Sequence, residues 1–195
     1  NGCIVIGVDI NNEKCDIANK WGINTICSDS LDPVKRTLDL TGQIGADGVL
    51  ITASSKSKTI ISDSAKMTRK RGKIILVGVV GLEFDRSEFY EKEISFQVSC
   101  SYGPGRYDKN YEEHAIDYPL PYVRWTENRN LQAILSSMES GQLDPLDLIT
   151  NRYELNEFEK VYKNLDSSSS IATIINYPKK ESTKLNRTII LNKRE

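Results

Sequence analysis

The sequence predicts an α/β protein built on a doubly wound parallel sheet. Short runs rich in Ile and Val alternate with amphipathic stretches of helical spacing, and Gly, Pro and Asp stand where one pattern gives way to the other. Strands that are covered on both faces have such continuous apolar runs. Their alternation with helices is typical of a sheet joined by right-handed crossovers.

The first two strands and helices follow in order from the amino terminus. Residues 3–9 form an apolar strand, and residues 12–21 place Cys15, Ile17, Ala18 and Trp21 at helical spacing before Gly22, a typical helix end. The stretch "NTICS" is a second short strand. Asp32 is an N-cap, and Pro33 occupies the first position of the helix that follows.

Three further strands complete the predicted sheet: "GVLITAS", "KIILVGVVG" and "EISFQVSCS". Between the first two of them, "SKTIISDSAKMTRKRG" is a helix that ends at Gly72. Residues 101–130 then form a long loop rich in Tyr, Gly and Pro, and loops of that size are often functional. Helical spacing resumes at Leu131 and stops at Gly141, and "NEFEKVYKNL" and "IATIINY" predict a last helix and a last strand.

Composition excludes several classes of function. Among 195 residues, 26 are basic and 27 acidic, so nucleic acid is a poor partner. Apolar stretches are far shorter than the ~20 residues that span a bilayer, and no signal peptide is visible, which predicts a soluble, cytoplasmic protein. The chain begins with Asn and reads as truncated. The four Cys are widely spaced and are expected to be buried free thiols. With one His, no metal site is expected.

Asp9 is the first candidate site residue. An acid at the carboxyl end of a buried parallel strand can accept two hydrogen bonds from a ribose diol. That interpretation normally requires a glycine-rich turn about 20 residues upstream, and the sequence has nothing there. Asp9 is therefore either an ordinary strand-end residue or part of a dinucleotide-binding unit whose beginning is missing.

Four stretches together resemble one family of enzymes. They are "IVIGVDINNEKCDIANKWGINTI", "GADGVLITAS", "KRGKIILVGVV" and "LITNRYELNEFEKVYKNLDSSSSIATIINY". They are similar, over residues 2–177, to the Rossmann-type NAD-binding half and closing segment of medium-chain, zinc-type alcohol-dehydrogenase-like enzymes. The stretches "SYGPGRYD" and "YVRWTENRN" resemble two-part bacterial oxidoreductases in which a glucose-fructose-oxidoreductase-like half follows.

The resemblance implies a division of the chain and an activity. Residues 1–130 would be a partial dinucleotide-binding domain, 131–177 the closing helices and strand, and 178–195 a linker or the start of an absent domain. The whole enzyme would pass a hydride between nicotinamide and a carbonyl or alcohol, on a sugar or sugar-derived substrate. These 195 residues alone would bind the cofactor weakly and not catalyse, because the glycine-rich turn and the substrate half are missing. Ala172 also stands where relatives often have an arginine for the pyrophosphate.

The resemblance also assigns the cofactor contacts. Asp9 would bind the adenosine ribose, Lys14 a ribose hydroxyl, and Ile10 would pack on adenine. The remaining contacts would be Thr52, Ala53 and Ser54 after the fourth strand of the family's sheet, the backbone of Val77, Gly78 and Val79 on the nicotinamide side, and Ser101. A free acid at position 9 repels a 2′-phosphate, so NAD is favoured over NADP.

The long loop carries the candidate substrate residues. Aromatic faces and guanidinium groups suit a sugar or an anionic group, and the loop offers both in Tyr102, Arg106, Tyr107, Arg124 and Trp125. The alternative is a loop that folds on its own side chains. "GPG" at 103–105 is a tight turn or a phosphate contact. His114 with Glu112 and Glu113 is a solvated group or an acid–base group, and "SSSS" at 167–170 is a turn or linker.

Other functions stay open at this point. A non-catalytic α/β binding or assembly module would use the Tyr-rich loop as a protein contact. A methyltransferase-like enzyme would also bind ribose through an acid after a strand, but usually ends in an antiparallel hairpin. An NADP-dependent reductase should have a basic residue beside Asp9, where the chain has Ile10 and Asn11.

Two expectations concern the edges of the sheet. In the usual strand order 3-2-1-4-5-6, the absent first strand lies between the strands that carry Asp9 and Thr52. These two are expected to pair directly, or another segment or chain to fill the gap, because exposed edges are seldom tolerated. Residues 93–101 form the other edge strand, and the resemblance implies a homodimer through it.

Overall fold

A computed structural model describes residues 2–163 and 170–178 and confirms the α/β class with parallel strands. The chain divides into two units, Asn1–Leu135 and Ser136–Glu195. The strands of the first unit are β1 (Ile6–Asp9), β2 (Asn24–Cys27), β3 (Ala46–Ile51), β4 (Thr68–Leu76) and β5 (Ser95–Val98). Its helices are α1 (Asn12–Lys20), α2 (Pro33–Leu40), α3 (Ile60–Met67), α4 (Arg86–Tyr90) and α5 (Lys109–Glu112).

Helix α6 (Glu127–Glu139) crosses the boundary between the units. In the second unit, β6 (Ile149–Glu154) pairs in parallel with β7 (Ala172–Asn176), and α7 (Phe158–Lys163) connects towards β7. Sequence patterns predicted α6, α7 and β7 but not β6, whose sequence "ITNRYE" is mostly polar and forms no apolar run. The predicted linker or domain start beyond residue 178, and most of the "SSSS" run, lie outside the described residues.

The first two helices begin where the sequence predicted. The Asn11 side chain accepts hydrogen bonds from the N–H groups of Glu13 and Lys14, at 2.8 and 3.3 Å, and so caps α1. Gly22, at φ +77°, follows that helix. The Asp32 side chain caps α2 in the same way, and Pro33 stands at its first position.

Helix α3 is shorter than the sequence predicted. It ends at Met67, and residues from Thr68 onwards already belong to β4, so the prediction of a helix that continues to Gly72 is wrong. The Lys92 ammonium donates hydrogen bonds to the carbonyls of Ala65, Lys66 and Thr68, at 2.9, 2.7 and 2.8 Å. These bonds give hydrogen-bond donors to carbonyl groups at the C-terminal end of α3. The donor, Lys92, lies more than 20 residues further along the chain.

The strands of the first unit form two separate sheets. One pairs β1 with β2, and Asp9 lies opposite Cys27. The other has the order β3-β4-β5. Of the two alternatives expected for the strands that carry Asp9 and Thr52, direct pairing is therefore wrong. Helix α2 follows β2 and packs on α3 through the buried pair Thr37 and Met67. The helices beside the two sheets are therefore in contact, although no backbone hydrogen bonds join the strands of one sheet to those of the other.

The main hydrophobic core lies on the three-stranded sheet. Its fully or nearly fully buried members are Ile51, Ile61, Ala65, Ile74 and Leu76. A cluster of three aromatic rings closes one side, with Phe84 4.9 Å from Phe96 and 5.2 Å from Phe89 between ring centroids. No helix within residues 2–163 and 170–178 is long and apolar enough to cross a membrane.

The cysteines only partly follow the prediction. All four are free, but Cys3 and Cys100 are exposed, so the expectation of four buried thiols is wrong for these two. Cys3 precedes the first residue of β1, and Cys100 follows the last residue of β5, so neither is covered by a neighbouring strand or helix. Cys15 and Cys27 are buried, and desolvation raises the pKa of the Cys15 thiol.

Candidate functional site

Asp9 is the last residue of β1, and its carboxylate lies at the start of the turn into α1. Its Oδ1 atom accepts a hydrogen bond from the N–H of Asn11 at 2.8 Å. That bond orients the carboxylate and leaves Oδ2 for another donor. Ile10, next along the chain, is 77% exposed, and Lys14 is exposed on the first turn of α1. One short segment therefore presents an acceptor, an apolar surface and a cation side by side.

The ends of β3 and β4 come together as a second part of the site. Residues Thr52, Ala53 and Ser54 leave β3, while Val77, Gly78 and Val79 leave β4. The N–H of Val79 donates to the carbonyl of Ala53 at 3.0 Å, and the N–H of Ser55 donates to the carbonyl of Val79 at 3.0 Å. The fold thus places these two predicted segments against each other.

Gly78 is required by this close approach. A Cβ at position 78 would overlap the carbonyl oxygen of Ala53, so any larger residue would force the two chain segments apart. The N–H groups of Val77 and Gly78 both donate to the carbonyl of Ile51, at 2.9 and 2.8 Å. This shared acceptor turns the chain at the end of β4 and exposes the side chains of Val77 and Val79.

Ser101 lies beyond the end of β5, on the same edge of the three-stranded sheet. Parallel strands end on one edge, and the N–H of Ser99 still donates to the carbonyl of Leu76 at 2.8 Å. Ser101 itself is exposed, with a φ of +33°. A turn follows, in which the N–H of Gly103 donates to the carbonyl of Cys100 at 2.7 Å.

Arg106 is the centre of the candidate substrate residues. Its guanidinium carbon lies 4.6 Å from the centroid of the Tyr107 ring and 5.7 Å from that of Tyr102. A guanidinium nitrogen also forms a 2.6 Å ion pair with Glu112, which raises the pKa of Arg106. Its Nε atom is buried without a hydrogen-bond partner. The structure thus brings three of the five predicted substrate residues together.

Arg124 and Trp125 form a separate contact. The guanidinium carbon of Arg124 lies 4.7 Å from the centroid of the Trp125 ring, and both side chains are exposed. His114 is exposed as well, while its neighbour Glu112 is occupied by Arg106. The "GPG" stretch is a turn: Gly103 and Gly105 have φ angles of +93° and +114°, and Gly105 is packed against the Tyr111 ring.

Side chains that the sequence patterns did not single out hold the loop in shape. The Tyr111 hydroxyl accepts a hydrogen bond from the N–H of Asn128 at 2.9 Å, at the beginning of α6. The Tyr118 hydroxyl donates to Asp108, which lowers the pKa of the carboxyl and raises that of the phenol. Arg129 pairs with Asp117 at 2.6 Å. Only the unusual density of Tyr, Asp and Arg in the sequence could have indicated such a network.

Metal ligands do not gather anywhere in the described parts of the chain. Within residues 2–163 and 170–178, no group of three or more His, Cys, Asp or Glu side chains could hold a metal ion. The site that the structure offers is therefore a set of strand ends with one acid, exposed apolar side chains and closely packed backbone.

Solved structures of dehydrogenases share this fold. The alcohol dehydrogenase TADH from Thermus sp. ATN1 matches with a TM-score of 0.69 at 19% identity, over 89% of this chain and 43% of that one. Benzyl alcohol dehydrogenase from Acinetobacter calcoaceticus matches at 0.66 and 18%, over 90% and 43%. The 2R,3R-butanediol dehydrogenase from Bacillus subtilis matches at 0.65 and 18%, over 87% and 42%.

The chain thus spans less than half the length of these structures. No curated protein matches the sequence. A family model described as "Zinc-binding dehydrogenase" matches residues 1–117, which is more than half of the 195 residues and includes the strand ends described above. The resemblance to zinc-type alcohol-dehydrogenase-like enzymes is confirmed, and the chain belongs to the zinc-binding dehydrogenase family.

Proposed function

We propose that this chain is the NAD(H)-binding portion of an alcohol-dehydrogenase-like oxidoreductase. The observation that carries the proposal is the position of Asp9, at the carboxyl end of a parallel strand and at the entrance to a capped helix. Ligands of open α/β sheets bind at the carboxyl ends of strands. The family match covers this strand and helix.

The residues around Asp9 fit the adenosine half of a dinucleotide. The free Oδ2 of Asp9 would accept a hydrogen bond from a ribose hydroxyl, and Lys14 would reach the same sugar from the first turn of α1. Ile10 is an apolar side chain that is 77% exposed, as a surface for a planar base requires. The 2′-phosphate of NADP would meet the negative charge of Asp9, so we propose NAD as the cofactor.

The ends of β3 and β4 would border the nicotinamide half. Thr52, Ala53 and Ser54 leave one strand, and the glycine at position 78 lets the backbone of the other approach closely. When bound, the cofactor would supply the hydride for a carbonyl or alcohol substrate. The protein would contribute orientation and electrostatics. Four free thiols support a reducing, cytoplasmic setting.

The decisive experiment measures NAD binding by this chain and by its Asp9→Ala variant, with calorimetry or ligand-observed NMR. Loss of a charged acceptor should weaken NAD binding by about 1.5–3 kcal/mol, while NADP binding changes less. Asp16→Ala is the matched control, because it removes an exposed acid from α1 itself. Equal affinities in the Asp9 variant and the native chain would show that Asp9 is only a strand-end residue.

For the substrate, we propose a sugar or sugar-derived alcohol held near Arg106. The support is the stacking of its guanidinium on Tyr107 and Tyr102, two exposed aromatic faces of the kind that sugars pack on. Saturation-transfer NMR with glucose and gluconate, on the native chain and on Arg106→Leu, tests this assignment. If the loop is a protein contact instead, as in an assembly module, neither sugar will bind.

We also propose a homodimer through the outer edge of β5. Val98 is 54% exposed and the strand carries neither Pro nor Lys, so its edge lacks the usual protection against pairing. Val98→Lys should dissociate the dimer in light scattering at micromolar concentration. Phe96 would be a poor choice for this test, because it packs against Phe84 and Phe89 in the core. A native chain that is monomeric at that concentration contradicts the dimer.

A further inference from the structure

A cavity of about 440 Å³ lies beside the first residue of α6. Its walls come from the 101–130 loop and from the start of that helix, and they are Arg106, Tyr111, Glu112, Glu127, Asn128 and Leu131. All of them belong to the first unit of the chain. Cavities of this size are typical of small-molecule sites. The charges and hydrogen-bonding groups of the walls therefore indicate which class of molecule the cavity suits.

The walls carry one positive and two negative charges. Arg106 is the only cation among the lining residues, and its charge is already balanced by the 2.6 Å ion pair with Glu112. Glu127 supplies the second carboxylate, and its side chain forms no ion pair within residues 2–163 and 170–178. An anionic ligand would meet this uncompensated charge, whereas a cationic group would neutralise it.

The backbone that carries Glu127 is fixed by the loop. Its N–H donates to the carbonyl of Pro104 at 2.9 Å, and the N–H of the next residue, Asn128, donates to the Tyr111 hydroxyl at 2.9 Å. These two bonds tie the first turn of a 13-residue helix to the loop that forms the opposite wall. Glu127 is half-buried, so solvent and salt screen its charge less than they screen a fully exposed acid.

The remaining walls offer neutral polar groups and one apolar surface. The Tyr111 hydroxyl accepts a hydrogen bond from Asn128 and keeps its own proton for donation. The Asn128 side chain is exposed, and its amide can both donate and accept. Leu131, one helical turn further along, is 57% exposed. A ring that has several hydroxyl groups and an apolar face, as a pyranose has, complements these walls.

Two buried polar atoms beside the cavity lack a hydrogen-bond partner among the described residues. One is Nε of Arg106, and the other is the hydroxyl of Thr126, a fully buried residue that immediately precedes Glu127. Most buried polar atoms in proteins are paired, so each exception requires an explanation. A ligand with several hydroxyl groups would offer the acceptor that Arg106 lacks.

We propose that this cavity binds an amino sugar and that Glu127 binds its ammonium group. The inference rests on the proposed function, in which a sugar lies near Arg106, and it adds the class of sugar. Arg106 joins the two parts of the site, because its guanidinium lies against Tyr107 and Tyr102 and also lines the cavity. The sugar hydroxyl groups would bond to the neutral polar walls, and the charge of Glu127 would disfavour an acidic sugar.

The test compares the affinities of related sugars for the native chain by NMR titration, at a mildly acidic pH where the amine is protonated. The sugars are glucosamine, N-acetylglucosamine, glucose and gluconate. Hydrogen bonds between charged groups are stronger than neutral ones, so glucosamine should bind at least about fivefold more tightly than glucose. N-acetylglucosamine keeps the nitrogen without the charge and should lose this advantage. Gluconate should bind most weakly.

Glu127→Gln is the decisive variant, because it removes the charge and retains the size of the side chain. It should lower the affinity for glucosamine about fivefold and leave the affinity for glucose nearly unchanged. Glu113→Gln is the matched control, since it removes an exposed acid of the same loop that does not line the cavity. This control should retain the preference for glucosamine. Circular dichroism verifies that both variants are folded.

Several results would overturn the inference. Equal affinities for glucosamine and glucose would show that the walls do not select a charge, although the sugar proposal would stand. Tightest binding of gluconate would place a free cation in the cavity. A preference for glucosamine that survives in Glu127→Gln would assign the ammonium group to another acid. If none of these sugars binds, the amino-sugar inference and the sugar proposal fail together, while Asp9→Ala still tests the NAD proposal.

Discussion

The two sheets of the first unit differ sharply in how much they bury. The three-stranded sheet carries Ile74 at 0% exposure and Leu76 at 4%, packed under α3 and the aromatic cluster. In the two-stranded sheet only β2 is well covered: Ile26 is fully buried, while Val8 of β1 is 44% exposed. The strand that carries Asp9 therefore lies in the less stable region, as is usual for parts that bind ligands.

The largest expected effect tests this difference directly. Ile74→Ala removes a fully buried side chain and should lower the free energy of unfolding by about 2–5 kcal/mol. Val8→Ala, at a half-exposed position in β1, should cost less than about 1 kcal/mol. Urea unfolding followed by circular dichroism measures both. Similar losses in the two variants would mean that β1 is packed as tightly as β4, which contradicts the comparison.

A second prediction concerns what holds the three-stranded sheet to α3. Lys92→Met removes the ammonium that binds three carbonyls at the end of the helix, and should cost about 1.5–3 kcal/mol. Lys66→Met is the control, because it removes only a 3.3 Å ion pair with Glu88 from a side chain that is 51% exposed. If Lys66→Met lowers the free energy of unfolding as much as Lys92→Met does, the loss comes from removing a positive charge and not from the hydrogen bonds at the end of α3.

The smallest expected effect concerns residues 101–130, which polar contacts hold together. The hydrogen bond from Tyr118 lowers the pKa of Asp108, so its contribution is present above the usual carboxyl pKa of about 4 and is lost as the pH falls through the lowered value. The same bond raises the pKa of Tyr118, so its contribution is present below about pH 10 and is lost as the pH rises through the raised value.

The fluorescence of Trp125 should therefore stay constant at intermediate pH, and it should change once at acidic pH and once at alkaline pH. Tyr118→Phe should remove both changes, while Tyr122→Phe, at an 87% exposed position, should leave them in place. Identical profiles for Tyr118→Phe and the native chain would show that this contact does not hold the loop. In contrast to this segment, the apolar core of the three-stranded sheet should respond little to pH.

Local signals in the sequence were sufficient for much of the fold. The caps at Asn11 and Asp32, Pro33 at a helix start and Gly22 after a helix end depend on residues within one turn of the chain. The apolar runs in β1, in β3 and in residues 73–76 of β4 needed only their own composition. The order of these elements also sufficed to place the chain in its family.

Tertiary structure decided what depends on residues far apart in the chain. The end of α3 is fixed by Lys92, which no pattern around Thr68 reveals. Gly78 is needed because Ala53 approaches it, and Arg106 is positioned by Glu112 and two tyrosines.

The sequence alone determined most of the strands, most of the helices and the acid at the end of β1, because short-range propensity and periodicity act within each segment. Only the tertiary structure decided that the described strands of the first unit separate into two sheets, because pairing depends on which strand lies beside which.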